Sequence, residues 1–209
     1  GMIYMRGQSR DYDHWADVTG DVRWRWDACL PYFIRHESHW RGADALHGAD
    51  GEWRVEQQRL RWDILDAFAV AAQQEGLPTC EDFNRGNNEG VGYFEVNQKR
   101  GVRWNTSKAF LRPAAARTNL EVWTGSTVRS INLEPVQQGS SAWRATGVLV
   151  DRGGVPVSVR AAGQVILAAG AVATPLLLQR SGIGDPGVLG RAGIAPRHCL
   201  PVTLDVGTN

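Results

Sequence analysis

Long apolar runs are missing from this chain of 209 residues. The longest, Val165 to Leu178, has 14 residues and is interrupted by Gly170, Thr174 and Pro175, short of the ~20 that a bilayer span needs. Cysteine is scarce. Cys29, Cys80 and Cys199 are too few and too scattered for a disulfide framework or a four-ligand zinc site, so a reducing, cytoplasmic setting is expected. Net charge is nearly absent as well: 23 basic against 22 acidic residues leave +1, no general drive toward nucleic acid or an anionic membrane. Lysine is almost missing. Of the 23 basic residues 21 are Arg, leaving only Lys99 and Lys108, a split read as genome bias. No G-x-S-x-G, Walker loop or C-x-x-C occurs, which removes the commonest hydrolase, nucleotide-triphosphatase and thiol-redox readings. Residues Gly1 to Gly7 lack the basic start, apolar stretch and cleavage site of a signal peptide.

What is present is a globular composition, 43% hydrophobic with 24 Gly, in three successive textures. Residues 1–55 are rich in Trp, Arg and Asp; here Asp27 is expected to cap a short helix carrying Leu30, Phe33 and Ile34, with Pro31 tolerable only near its first turn. Gln58 to Glu75 is helical in pattern, with Leu60, Ile64, Phe68 and Ala71 on one stripe, Gly76 as left-handed cap and Pro78 as stop. Residues 79–92 read as a mobile connection, and Thr106 to Arg117 as a second short helix. After Asn119 five strand-like runs follow: 120–124, 127–133, 142–150, 155–159 and 164–168. Turns at Gln138-Gly139-Ser140 and, most clearly, Asp151-Arg152-Gly153-Gly154 separate them. The last run does not alternate and is expected to be buried on both faces.

Several short patterns invite chemistry. Val165 to Gly184 reads as a buried strand, a sharp turn at Gly170, and a helix with Thr174 as N-cap and Pro175 at its first position. Small side chains at Ala168, Ala169, Gly170 and Ala171 let a ligand approach the main chain; an ordinary strand-to-helix turn has the same look. Gly182-Ile-Gly184-Asp-Pro-Gly187 matches G-x-G-x-x-G, with Asp205 beyond, but a helix precedes it and Pro186 interrupts it, so it is read as a decoy. His36-Glu37-Ser38-His39 lacks zincin spacing and is read as a solvated helix end, with no metal expected. Trp24-Arg25-Trp26 is assigned a core and cation–π role rather than nucleic-acid stacking. Asn105-Thr-Ser107 is a sequon by chance.

Taken together, ordered segments of the chain resemble the glucose–methanol–choline (GMC) oxidoreductases, FAD-dependent enzymes that oxidise alcohols. Gly170 to Gly184 looks like that family's second signature, and Gly1 to Gly7 is similar to the tail of its first. Asp13-His14-Trp15, Leu30-Pro31-Tyr32-Phe33, Arg103 to Pro113 and Asn119 to Ile131 look like further landmarks. The resemblance implies an α/β fold (α+β within this stretch): part of a Rossmann-like FAD domain with a β-meander, plus part of a substrate domain on an antiparallel sheet. It divides the chain into a lid segment at 1–55, a partial substrate domain at 56–118 and a partial FAD domain at 119–209. It also places Val128 with its backbone at the adenine end of FAD, Ala169 and Gly170 at the turn beside the cofactor, and Gly1, Met2 and Ile3 along the flavin ring.

The family's N-terminal Gly-rich unit and its C-terminal catalytic His segment find no counterpart, and none of His14, His36, His39, His47 or His198 stands in the catalytic motif. Leu200 to Asn209 looks longer than the family's corresponding run. The expectation is therefore an internal piece of an enzyme that oxidises a primary alcohol, choline or similar, by hydride transfer to FAD. Its partners would be the small alcohol and the missing segments, with no nucleic acid and no membrane span. Alone, the piece would be inactive, hold little flavin and expose apolar faces that favour a homo-oligomer. The alternative is a non-catalytic binding or interaction module without flavin.

Overall fold

The N–H of Gln8 donates to Asp11 Oδ2 at 2.7 Å and opens helix α1 (Ser9–Thr19), which ends where Gly20 takes φ 67°. In this computed structural model residues 2–86, 88–137 and 141–199 are described, and they belong to two compact units, 1–120 and 121–209. Gly1, Asn87, residues 138–140, where a turn is expected, and the stretch from Leu200 through Asp205 to Asn209 lie outside the described residues. The expected boundary at 118/119 falls near the division between units, and that at 55/56 falls inside a strand.

In unit 1 a short 3₁₀ turn leads to helix α2 (Trp26–His36). Asp27 is not its cap. Arg25 holds that position, and the N–H of Trp26 is satisfied by Asp13 Oδ1 at 3.1 Å. Pro31 sits well inside the helix, not in its first turn. Tyr12 holds α1 to α2, with its ring 5.3 Å from Trp26 and 5.8 Å from Phe33. Trp24 meets Trp15 edge-on at 5.9 Å and is half exposed, so the Trp-Arg-Trp pattern serves aromatic pairing at the surface; among the described residues no cation stands over Trp24 or Trp26.

Strand β1 (Glu37–His39) follows α2 directly and runs parallel to β2 (Trp53–Gln57), which is antiparallel to β3 (Glu95–Val96). Residues 2–4 lie along β3: Ile3 bridges Val96, and Tyr4 N–H donates to the Glu95 carbonyl at 2.8 Å. Helix α3 spans Asp63–Gln74, shorter than the pattern suggests, and Gly76 takes φ 88° as its stop. Its stripe is not core: Ile64 is 70% exposed and Phe68 67%, while Ala72 is buried. The connection expected to be mobile, 79–92, carries backbone bonds and buried side chains among its described residues. The Cys80 N–H donates to the Val91 carbonyl and the Val91 N–H to the Pro78 carbonyl, each at 2.9 Å, and Asp82, Phe83 and Asn84 are buried. The hairpin β4 (Gln98–Lys99) and β5 (Val102–Arg103) precedes a π-helical turn, Ser107–Leu111, and α4 (Arg112–Ala114).

Unit 2 contains the expected meander: β6 (Ser126–Pro135), β7 (Trp143–Arg152) and β8 (Val155–Arg160) pair antiparallel in that order. Gly153 and Gly154, at φ 62° and 86°, make the two-residue turn that the right-handed strand twist favours. Helix α5 (Gly170–Arg180) starts at Gly170, earlier than Thr174 and Pro175 suggest, so Pro175 is internal. Thr174 still helps the turn: its Oγ1 accepts from the Ala169 N–H at 3.0 Å. Ser181 ties α5 to β6, donating to the Leu177 carbonyl at 2.7 Å and accepting from Ile131 N at 2.8 Å. Helix α6 (Pro186–Arg191) follows β9 (Ile183–Gly184), which pairs with β10 (His198–Cys199). Gly182 is there for close packing, since a Cβ would stand 2.7 Å from the Ala195 carbonyl oxygen.

Two expected strands are absent from this unit. Among the described residues, 120–124 and 164–168 join no strand ladder, and Ile166 is 82% exposed, not buried. An apolar run becomes a buried strand only where a neighbouring strand supplies its ladder, and among the described residues none lies beside this one. All three cysteines are free thiols, and among the described residues no helix is long and apolar enough to cross a membrane.

Candidate functional site

The small-residue corner at 168–170 opens onto a cleft of about 900 Å³ in unit 2. It is lined by residues of β6, β7 and β8, by the 164–169 segment and by α5. Val128 and Ala169 both line it, and Gly170 begins the helix beside it. Gly170 needs its missing side chain for conformation, at φ 91°; a Cβ there would meet nothing within 4 Å, so the space over the corner is open. At Val128 the β6 register slips against β7, between Val128 and Ser130. The lining is mainly aliphatic, but Arg160 and Arg180 also reach it, and neither pairs with a carboxylate among the described residues. Sequence reasoning missed these two arginines, because they come from β8 and the far end of α5 and meet only in the folded unit. The volume lies within the range of ligand pockets, and small side chains, an apolar wall and two free cations suit an adenosine bearing phosphates. Met2 and Ile3 belong to unit 1, where the Met2 carbonyl accepts from Asn97 N at 2.7 Å and both side chains are largely exposed.

Unit 1 also contains a buried ionic cluster. Glu37 and His39 are not a solvated helix end: both are inaccessible, facing inward from β1 with Ser38 between them turned the other way. Glu37 Oε2 accepts from Arg6 at 2.8 Å, His47 Nδ1 at 2.9 Å and Gly48 N at 3.0 Å. The other ring nitrogen of His47 meets Asp82 Oδ2 at 3.0 Å. His39 Nε2 meets Glu95 Oε1 at 2.9 Å, and the two imidazoles lie 4.0 Å apart. Arg41 stands 3.9 Å from both Asp82 and Glu95. Ligand atoms of His39, His47 and Asp82 come within 4.8 Å of one another, as a metal would require. Both nitrogens of His47 are taken by carboxylates, however, and two guanidinium groups share the cluster, a set that suits an imidazolium rather than a divalent cation.

Burial opposes charge on His47, but the hydrogen bonds to Asp82 and Glu37, and the charge of both, overcome it and raise its pKa to about 9. Burial likewise works against the charge on Glu37 and Asp82, yet the His47 contact, with Arg6 or the Asn84 N–H, holds each below the usual carboxylate range. The His47 contribution to stability is full below its unfolded pKa of about 6.5 and is lost as pH rises through about 9. The carboxylate contribution is present above about pH 4 and is lost on acidification. The unfolding free energy from urea denaturation is therefore expected to be highest between about pH 4.5 and 6.5 and to drop by up to about 3 kcal/mol on the alkaline side. A flat profile from pH 6 to 10 would remove the imidazolium.

Comparison with known proteins gives this geometry its context. The family model described as GMC oxidoreductase matches residues 1–200. The chain is 40% identical over 204 residues to the oxygen-dependent choline dehydrogenase of Photobacterium profundum, covering 96% of this chain and 34% of that protein. It is 36% identical over 200 residues to the mitochondrial choline dehydrogenase of Homo sapiens, covering 96% and 32%. Among solved structures, pyridoxine 4-oxidase from Mesorbium loti superposes with a TM-score of 0.83 at 36% identity, covering 96% of this chain and 38% of that one. An FAD-dependent oxidoreductase from Chaetomium thermophilum gives a TM-score of 0.80 at 26% identity, covering 96% and 36%. The chain thus spans about a third of the length of the curated relatives it matches. Its mixed helices and sheets are the α/β architecture of these flavoenzymes, and the chain belongs to the GMC oxidoreductase family.

Proposed function

We propose that the protein is an FAD-dependent oxidoreductase acting on a primary alcohol, choline or a similar compound, and that this chain forms the adenine-end wall of its cofactor site. FAD, when bound, supplies the acceptor for the hydride leaving the alcohol carbon. The observation that carries the reading is the meeting of Val128 and Ala169, far apart in sequence, on the walls of one open cleft. The Val128 main chain would lie against the adenine, and Ala169 and Gly170 would leave the backbone bare for close approach. Arg160 and Arg180 would offset the negative charge of the phosphates. Gly1, Met2 and Ile3 would run past the flavin ring, as the family resemblance implies. The alcohol proton is assigned to a His outside these 209 residues, because none of the five His here stands in the motif that the family resemblance makes catalytic, and His39 and His47 are committed to carboxylates in the buried cluster.

The test uses the full-length protein, purified and scanned for flavin absorbance, then mixed anaerobically with choline and a panel of primary alcohols. Flavin should co-purify and bleach with at least one alcohol. Ala169→Leu is expected to weaken FAD retention about tenfold, because a branched side chain would fill the space over the corner. The 209-residue chain on its own should retain little FAD. A full-length protein with no flavin, or with flavin that no alcohol reduces, points instead to a binding module.

A further inference from the structure

Lysine is so rare here that its placement carries information. Lys99 and Lys108, the only two in the sequence, line one cleft of about 540 Å³ in unit 1, together with Arg54, Arg100, Trp104 and Glu56. In a chain that otherwise uses Arg 21 times, both compact ammonium groups stand at one place.

Two backbone features converge on the same cleft. Arg100, at φ 55°, is the non-glycine residue with a left-handed backbone among the described residues, and with Gly101 at φ 81° it forms the tight turn between β4 and β5. An Arg at that position costs about 1 kcal/mol relative to a glycine, and such strain tends to persist at functional sites. Lys108 stands in the π-helical turn, an uncommon conformation with the same tendency.

The charges are not matched inside the cleft. Lys99 Nζ rests 4.7 Å from the centre of the Trp104 ring, and Lys108 Nζ donates to the Arg103 carbonyl at 2.8 Å. Among the described residues neither lysine, nor the Arg100 guanidinium, pairs with a carboxylate. Glu56 is already engaged by Arg54 at 3.3 Å, by Arg59 at 3.9 Å and by the Arg100 N–H at 3.3 Å. The other carboxylate in the lining, Glu52, leaves four cations facing two anions.

We propose that this cleft binds a phosphate group, as inorganic phosphate or as a monoester. Lysine ammonium groups on flexible stems each bring three donors as point charges and can converge on a tetrahedral dianion without the planar match that Arg demands. Trp104 supplies an apolar surface for an organic group carried by an ester.

Isothermal titration of the full-length protein with inorganic phosphate and, separately, with phenyl phosphate tests this. Saturable binding of at least one is expected: equal affinities identify free phosphate as sufficient, and tighter phenyl phosphate identifies an ester. The Lys99→Gln/Lys108→Gln pair should weaken binding at least about tenfold with its unfolding temperature unchanged. Should the pair not fold, each single variant should weaken binding about threefold. Undiminished binding in the folded variants, or no saturable binding of either probe, overturns the assignment.

Discussion

Replacing Glu37 with Gln is expected to reduce the unfolding free energy by about 3–5 kcal/mol, the cost of breaking a buried ion pair from one side. The substitution keeps the shape of the side chain and removes its charge. Arg6, whose side chain is as inaccessible as that of Glu37, would keep its bonds to Tyr4 Oη at 3.2 Å and the Leu46 carbonyl at 2.7 Å but lose its counter-charge. His47 would be left with Asp82 alone, so its imidazolium should release its proton at lower pH than in the parent protein. Urea unfolding at pH 6 gives the first quantity, and the histidine ring signals in an NMR titration give the second. A loss below about 1 kcal/mol would place Glu37 among surface ion pairs and contradict its burial.

Gly48→Ala should be at least as damaging, at more than about 4 kcal/mol, although it adds a single methyl group. A Cβ at Gly48 would stand 1.9 Å from the Ile34 carbonyl oxygen and 3.0 Å from that of Glu37, both main-chain atoms at the end of α2. The loop cannot withdraw freely. Gly48 donates to Glu37 Oε2, its carbonyl accepts from His39 N at 2.8 Å, and Gly51 N donates to the Glu37 carbonyl at 2.9 Å. Gly42→Ala in the same loop is the control: its φ of 92° strains an alanine, but no atom lies within 4 Å, so about 1 kcal/mol is expected. Urea midpoints measured side by side decide the matter, and equal losses at the two glycines would show that the close approach to α2 is not real.

Much of unit 2 could be read from residues alone, because its signals are local. Alternating strands and a Gly-Gly turn encode β6 to β8 within their own sequence, and the left-handed Gly170 marks its corner in the same way. The ordered family landmarks likewise single out Val128 and Ala169, which the fold then brings to one cleft. Unit 1 resisted the same reading. The inward alternation of Glu37 and His39 spans only three residues, too few for a period, and their partners Arg6, His47, Asp82 and Glu95 are scattered over ninety positions. Burial of a charge depends on what surrounds it, so only the folded chain could turn a helix end into an ionic core. The reverse happened at α3 and at 164–168, where apolar patterns describe a face but not what covers it. Local chain chemistry set the turns, caps and strands of this protein; the distant neighbours of each side chain, fixed only by tertiary packing, decided which charges are buried and which apolar faces lie open.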